Sequence, residues 1–152
     1  MTAGDDDQPG VAAGLIRMSF LVQAVFARTS ERHGLTPVQA KLLCVLVARP
    51  RGMAELAGIL GVEKAALTGL VDRVERRGLA ERTAVPGDRR ALRVTLTGAG
   101  RQAAAAFHHA VSAELDGLAA ALPAAERARF GASLARLTAS HGAPALFPVA
   151  GP

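Results

Sequence analysis

The sequence predicts a mainly helical chain of the α+β class, with a single β-hairpin set between helices. Three observations predict it. The 152 residues include 33 Ala and 16 Arg against 2 Lys, and Ala and Arg are strong helix formers. Apolar residues recur at helical spacing over most of the chain, and the period switches to strict alternation only within about 79–96. Aromatic residues make up 3%, five Phe with no Trp or Tyr, which argues against a β-sandwich or an aromatic platform for single-stranded nucleic acid. The Ala and Arg bias also fits a GC-rich genome, so the counts themselves carry no functional weight.

Residues 1–12 are acidic, contain Gly and Pro, and read as a flexible N-terminus. A first helix over 13–32 places Leu15, Met18, Val22, Val25 and Phe26 along one side, and Gly34 stops it. Thr36-Pro37-Val38-Gln39 combines an N-cap, Pro at the first helical position and Gln at the third, a capping box. The KLLCVLVA run that follows is apolar enough to be buried nearly all round, and Pro50 ends the helix. A short helix at 53–60, a tight turn at Gly61-Val62 and a helix from Glu63 to Arg77 make a helix-turn-helix, with Gly78 as the C-terminal stop. Residues 79–83 and 91–96 alternate as half-buried strands do, and 85–90 form a turn with three charges. Thr97 then caps a long helix over 98–121. Pro123 opens a last one to about Ser140, and 141–152, with three Pro, is an irregular tail. A helix-turn-helix followed by a two-stranded hairpin is a winged helix-turn-helix, here over 35–97, flanked by a helix over 13–34 and two more over 98–140.

The formal charge of +5 is unevenly placed. Residues 15–50 carry a net +4 and 61–101 another +4, whereas 102–152 are neutral and the first fourteen residues hold −3. An Arg-rich stretch across the helix-turn-helix and hairpin is the footprint of a polyanionic partner. Asp5, Asp6 and Asp7 near the start are the opposite of a signal-peptide front end. No uninterrupted 18-residue apolar run occurs, so no membrane span is expected and the chain reads as cytoplasmic. One cysteine, Cys44, excludes an intrachain disulfide and a Cys-based zinc site.

With these elements in order, the stretch from Leu35 to Arg101 resembles the MarR family of transcriptional regulators. LTPVQAKLL, AELAGILGV, LVDRVERRGLAER and above all GDRRALRVTLTGAGR carry the resemblance, the last through Asp88, Arg90, Leu96 and Thr97. With the flanking helices it covers about 15–140. It implies a homodimer whose helix 63–77 enters the major groove of double-stranded DNA at a pseudopalindromic operator while the hairpin tip reaches the adjacent minor groove. An α-helix fits the major groove, and Arg is drawn to a narrow, electronegative minor groove.

On this reading Lys64, Ala65, Ala66 and Thr68 face the bases, Lys64 and Thr68 by hydrogen bonds and the two Ala through thymine methyls. Arg73, Arg76, Arg77, Arg89 and Arg93 are expected on phosphates, which position without specifying, although Asp72 and Glu75 offer some of them a bracing role instead. Arg90 is the expected wing finger, with the Asp88 carboxylate holding its guanidinium extended. Gly69 departs from the family pattern, since many relatives carry Arg or another long polar residue there. Specificity is therefore expected to lean on the wing and on DNA shape.

Residues 102–140 are poor in charge, and Leu115, Leu118, Leu122, Phe130, Leu134 and Leu137 give two helices apolar faces. Pairing with a second copy, together with the first helix, is expected to bury them. Family members often bind small aromatic or carboxylate ligands between the dimerisation helices and the DNA-binding unit. Met18, Phe20, Phe26 and Phe107 are the candidates to line such a pocket, against the plainer reading of helical-spaced residues as core. Cys44, flanked by apolar residues, reads as inert core rather than an oxidant sensor. His108 and His109 are adjacent and diverge on a helix, and neither they nor His33 or His141 make the i, i+4 spacing of a zinc site. Gly98, Gly100 and Ala103 match GxGxxA after a strand, yet no second parallel strand follows, so neither a dinucleotide cofactor nor an enzyme is expected. The alternative is a winged helix that binds protein and never touches DNA.

Overall fold

The computed structural model describes residues 10–144 and 146. The expected flexible start and irregular tail fall mostly on residues 1–9, 145 and 147–152, outside the described residues. Six helices and three strands follow the order α1 (Val11–Arg32), α2 (Pro37–Ala48), β1 (Arg51–Gly52), α3 (Met53–Leu60), α4 (Lys64–Arg76), β2 (Ala80–Val85), β3 (Asp88–Leu96), α5 (Gly98–Ala119) and α6 (Ala124–Ser140). The expected winged helix-turn-helix with flanking helices is the fold observed. Helix boundaries moved by one or two residues: α1 starts at Val11 rather than 13, α4 covers Lys64–Arg76 rather than 63–77, and α5 ends at Ala119 rather than 121.

The capping box forms as read: the Gln39 amide donates to Thr36 Oγ1 at 3.2 Å and the Thr36 amide to Gln39 Oε1 at 3.1 Å. Helix α2 is the central rod, with Ala40 and Leu42 through Leu46 buried. Around it pack Leu56 of α3, Leu67, Leu70, Val71 and Val74 of α4, Val94 and Leu96 of β3, and Ala104, Phe107 and Val111 of α5. Phe26 of α1 meets Phe107 edge-on with ring centroids 4.8 Å apart. Glu114 on α5 accepts from Thr29 and pairs with Arg28 and Arg32, joining α1 to α5 at its C-terminal half.

The hairpin differs from the sequence reading. Its strands run to Val85 and from Asp88, so the turn is only Pro86-Gly87, with Gly87 at φ +84°. Pro followed by a positive-φ Gly is a natural tight turn, and it places Asp88, Arg89 and Arg90 on the strand rather than in a wide loop. A third strand was not foreseen. Arg51 and Gly52 pair antiparallel with Val94 and Arg93, giving the sheet order β1-β3-β2. Two residues are too short for alternation to register. Arg49 before Pro50 is extended, as a residue preceding proline must be, and this delivers Arg51 to the edge of β3.

Two apolar surfaces remain open. In α1 every residue from Val11 to Leu21 is exposed, including Ile16 at 60% and Phe20 at 69%. Helix α6 has no buried residue, and Phe130, Leu134 and Leu137 are exposed. By length and composition α1 is also long and apolar enough to cross a membrane, which corrects the expectation that no segment would be. Its charges are few and spaced, so the helix passes without an unbroken apolar run. Arg17 interrupts the exposed half, and Val25, Thr29 and Ser30 anchor the other half in the core.

Candidate nucleic-acid interface

The sequence of α4 fixes which face it shows. Leu67, Leu70, Val71 and Val74, at helical spacing, are buried against the core, so Lys64, Ala65, Ala66 and Thr68 are turned outward and exposed. Gly61 ends α3 in the left-handed conformation, φ +64°, which turns the chain within three residues into α4. Thr68 Oγ1 donates back to the Lys64 carbonyl at 3.0 Å.

Arg82 of β2 fastens the wing to α4. Its guanidinium reaches Asp72 Oδ1 at 2.7 Å and also pairs with Glu75, while its amide donates to Glu75 Oε1 at 3.0 Å. Burial works against the Arg82 cation, but the hydrogen bond to Asp72 and the charge of Glu75 outweigh it and hold its pKa above the usual value. In the sequence, Arg73, Arg76 and Arg77 are expected on phosphates, with pairing to these two carboxylates only the alternative for some of them; the carboxylates go to Arg82 instead. A strand residue wins because it arrives beside the helix face, whereas the α4 arginines point outward. Arg82 itself was missed; alternation along β2 could have placed it on the α4 side.

Arg73 and Arg76 are consequently exposed, with no side-chain hydrogen bond or ion pair among the described residues. Arg77, expected on a phosphate, is exposed and donates to Gln39 Oε1 at 3.2 Å, tying the end of α4 to α2. Arg89 and Arg90 are exposed beside the tip. Asp88 Oδ1 accepts from the Arg90 backbone amide at 3.0 Å. It therefore fixes the strand start that carries Arg90, rather than gripping its guanidinium as the sequence reading had it. Arg93 lies further in, opposite Thr83 and Gly52, half-buried, with its Nε shut away from solvent and lacking a partner among the described residues.

The candidate ligand residues are not brought together within one chain. Phe107 is fully buried and Phe26 packs on it, whereas Met18 and Phe20 are exposed on the free half of α1. A shallow groove does occur near the α1–α2 junction, lined by Ala27, Glu31, Leu35, Pro37 and Gln39 among others. Among the described residues no cluster of His, Cys, Asp and Glu could hold a metal ion. Cys44 is buried, and burial pushes its thiol up to about 12.

The Gly98–Ala103 match has a packing explanation. A Cβ on Gly100 would fall far inside contact with the Leu79 carbonyl oxygen, and lie 2.8 Å from its carbon and 3.2 Å from Leu96 Cδ2. The first turn of α5 crosses the start of β2 so closely that only glycine fits. Every strand pair among the described residues is antiparallel, so the parallel unit that a dinucleotide site needs is not there.

Comparison with known proteins agrees with this geometry. Residues 33–91 match the MarR family. Over 78 residues the chain is 36% identical to the HTH-type transcriptional repressor NicR of Pseudomonas putida, a match spanning 51% of this chain and about half, 49%, of that protein. Among solved structures it is similar to apo MarR of Escherichia coli, with TM-score 0.76 and 25% identity over 87% of this chain and 98% of that one. It is also similar to Rv2887 of Mycobacterium tuberculosis, a MarR family protein in complex with salicylic acid, with TM-score 0.72 and 26% identity over 86% and 98% of the two chains.

Proposed function

Because the chain belongs to the MarR family of transcriptional regulators, we propose that it is a homodimeric, sequence-specific repressor of double-stranded DNA, cytoplasmic and without catalytic activity. The observation that carries the reading is the Arg82 bridge. It holds a helix with an exposed N-terminal half in fixed relation to a hairpin with a basic tip. Such a rigid pair suits simultaneous engagement of a major groove by α4 and a neighbouring minor groove by the wing. Lys64, Ala65, Ala66 and Thr68 face the bases, Arg90 enters the minor groove, and Arg76 and Arg89 meet phosphates. A protein-binding wing would have no need of unpaired arginines on both elements.

The open apolar surfaces of α1 and α6 support dimerisation, since contiguous exposed apolar faces are uncommon on monomers in water. A second copy buries both and sets two α4 helices for half-sites about one helical turn apart. Light scattering tests this: the mass should be twice the 15.6 kDa of one chain, and a monomer at micromolar concentration would contradict it.

Release by a small aromatic carboxylate is the regulatory part of the reading. Salicylic acid bound to the similar Rv2887 supports it, as does the exposure of Met18 and Phe20, which a second copy would roof over. Footprinting on enriched genomic fragments, repeated with a panel of aromatic acids, is the test. Protection that fades with one acid supports an inducer, and protection that none of them alters argues against this class of ligand.

A further inference from the structure

We propose that Gly69 and Arg73 act together as a base-reading unit, in which the missing side chain at 69 lets the Arg73 guanidinium lie on the groove-facing surface of α4 and read a guanine. The proposal rests on the DNA-binding reading above and assigns Arg73 a specifying role in place of a phosphate contact. Residues 69 and 73 are one turn apart, and long side chains on a helix lean toward the preceding turn. Arg73 does so here: its Nη1 lies 3.3 Å from where a Cβ on Gly69 would stand.

The surroundings leave that guanidinium free to act. Asp72 and Glu75, the acids nearest in sequence, are both taken by Arg82. One turn further back stand Ala65 and Ala66, exposed and short, so this strip of α4 is smooth and can approach base edges closely. The Thr68 hydroxyl donates to the Lys64 carbonyl and offers a base only its acceptor lone pairs. Arg73 thus brings a planar fork of donors to a strip otherwise made of Ala and Gly. That fork matches guanine O6 and N7 in a bidentate pair, which the point charge of lysine does not reproduce.

The test is selection from a random duplex library with the full-length protein, comparing wild type, Arg73→Lys, Gly69→Ala and Arg76→Lys, followed by affinities on the selected site and its single-base variants at two salt concentrations. Arg73→Lys keeps the charge, so a phosphate contact would survive it. The expected result is that preference for a guanine at one position per half-site falls about 5- to 150-fold, while binding to unselected duplex and the salt slope stay as in wild type. Gly69→Ala crowds only the far end of a flexible side chain and suits a helix better than Gly. It should stay folded, by circular dichroism, yet weaken preference at the same position. Arg76→Lys, at a phosphate position, should shift affinity on every duplex alike and so mark what a non-specifying contact looks like. Arg73→Lys with an unaltered consensus, or with affinity lowered equally on every sequence, would overturn the proposal while leaving the regulator reading intact. A wild type that enriches no sequence would instead overturn both.

Discussion

Substituting Gly100 by Ala places one methyl group where the chain has no room. The new Cβ would overlap the Leu79 carbonyl and press on Leu96 Cδ2, and backbone oxygen cannot turn aside as a side chain would. The first turn of α5 must retreat by roughly 1.5 Å to restore ordinary contact. That retreat pulls on Thr97, which donates to the Gly78 carbonyl at 2.6 Å and accepts from the Gly100 amide at 3.0 Å. Overpacking costs about 1–3 kcal/mol and a disturbed N-cap about 1, offset by at most about 1 from replacing Gly in a helix. The net loss should be about 2–3 kcal/mol. Urea unfolding at fixed protein concentration measures it, because dimerisation makes stability depend on concentration. With a slope of about 1–3 kcal/mol per molar, the midpoint should fall by about 0.7–3 M. Gly58→Ala in α3, where a Cβ meets nothing within 4 Å, is the control and should be neutral or stabilising by up to about 1 kcal/mol. Equal midpoints for Gly100→Ala and wild type would refute the packing account of the GxGxxA match.

Arg90→Ala should weaken binding to the selected operator about tenfold or more, as loss of a good groove contact does. Thr68→Ala should cost less than threefold, because its donor is used within α4 and only acceptor capacity faces the bases. Similar losses in a gel-shift titration at equal salt would contradict that division. Cys44 should resist a thiol reagent in the native state at pH 8 and react fully in urea, since its thiol is pushed up to about 12; rapid native labelling would show an accessible thiolate. Glu55 accepts from Arg49 and Arg51, and the Arg49 hydrogen bond first among causes holds its carboxyl below the usual range. A lowered folded pKa stabilises above the unfolded value and loses that stabilisation as pH falls through the folded one. The unfolding-midpoint difference between wild type and Glu55→Gln should therefore shrink between pH 6 and pH 3, and a constant difference would argue against the pairing.

Much of this was legible in the sequence because the signals were local. Thr36, Pro37 and Gln39 specify the start of α2 within four residues, and Gly61 and Gly78 mark turns that need a positive φ. The features that escaped are pairings between distant segments. Arg51 reads as one more surface cation, yet it is 5% exposed, with its Nε donating to the Val45 carbonyl at 2.8 Å and β1 completing the sheet. Arg82 looked like one charge in an Arg-rich run until the strand set it against Asp72 and Glu75. Gly100 mimicked a cofactor motif because both uses of glycine answer the same demand for close backbone approach. In the candidate interface, α4 and the hairpin were legible from periodicity. The roles of Asp88, Arg77 and Arg93 depend on register and on side-chain direction, which spacing alone does not encode.

Whether α4 and the wing together bind duplex DNA by sequence is decided by affinity for a selected operator and for unrelated duplex across a salt series. Each phosphate neutralised contributes about −0.9 to the slope of log K against log salt. A steep negative slope is expected on both duplexes, with the operator favoured about a thousandfold or more, as specific regulators are. A flat salt dependence, or equal affinity for the two duplexes, would contradict it.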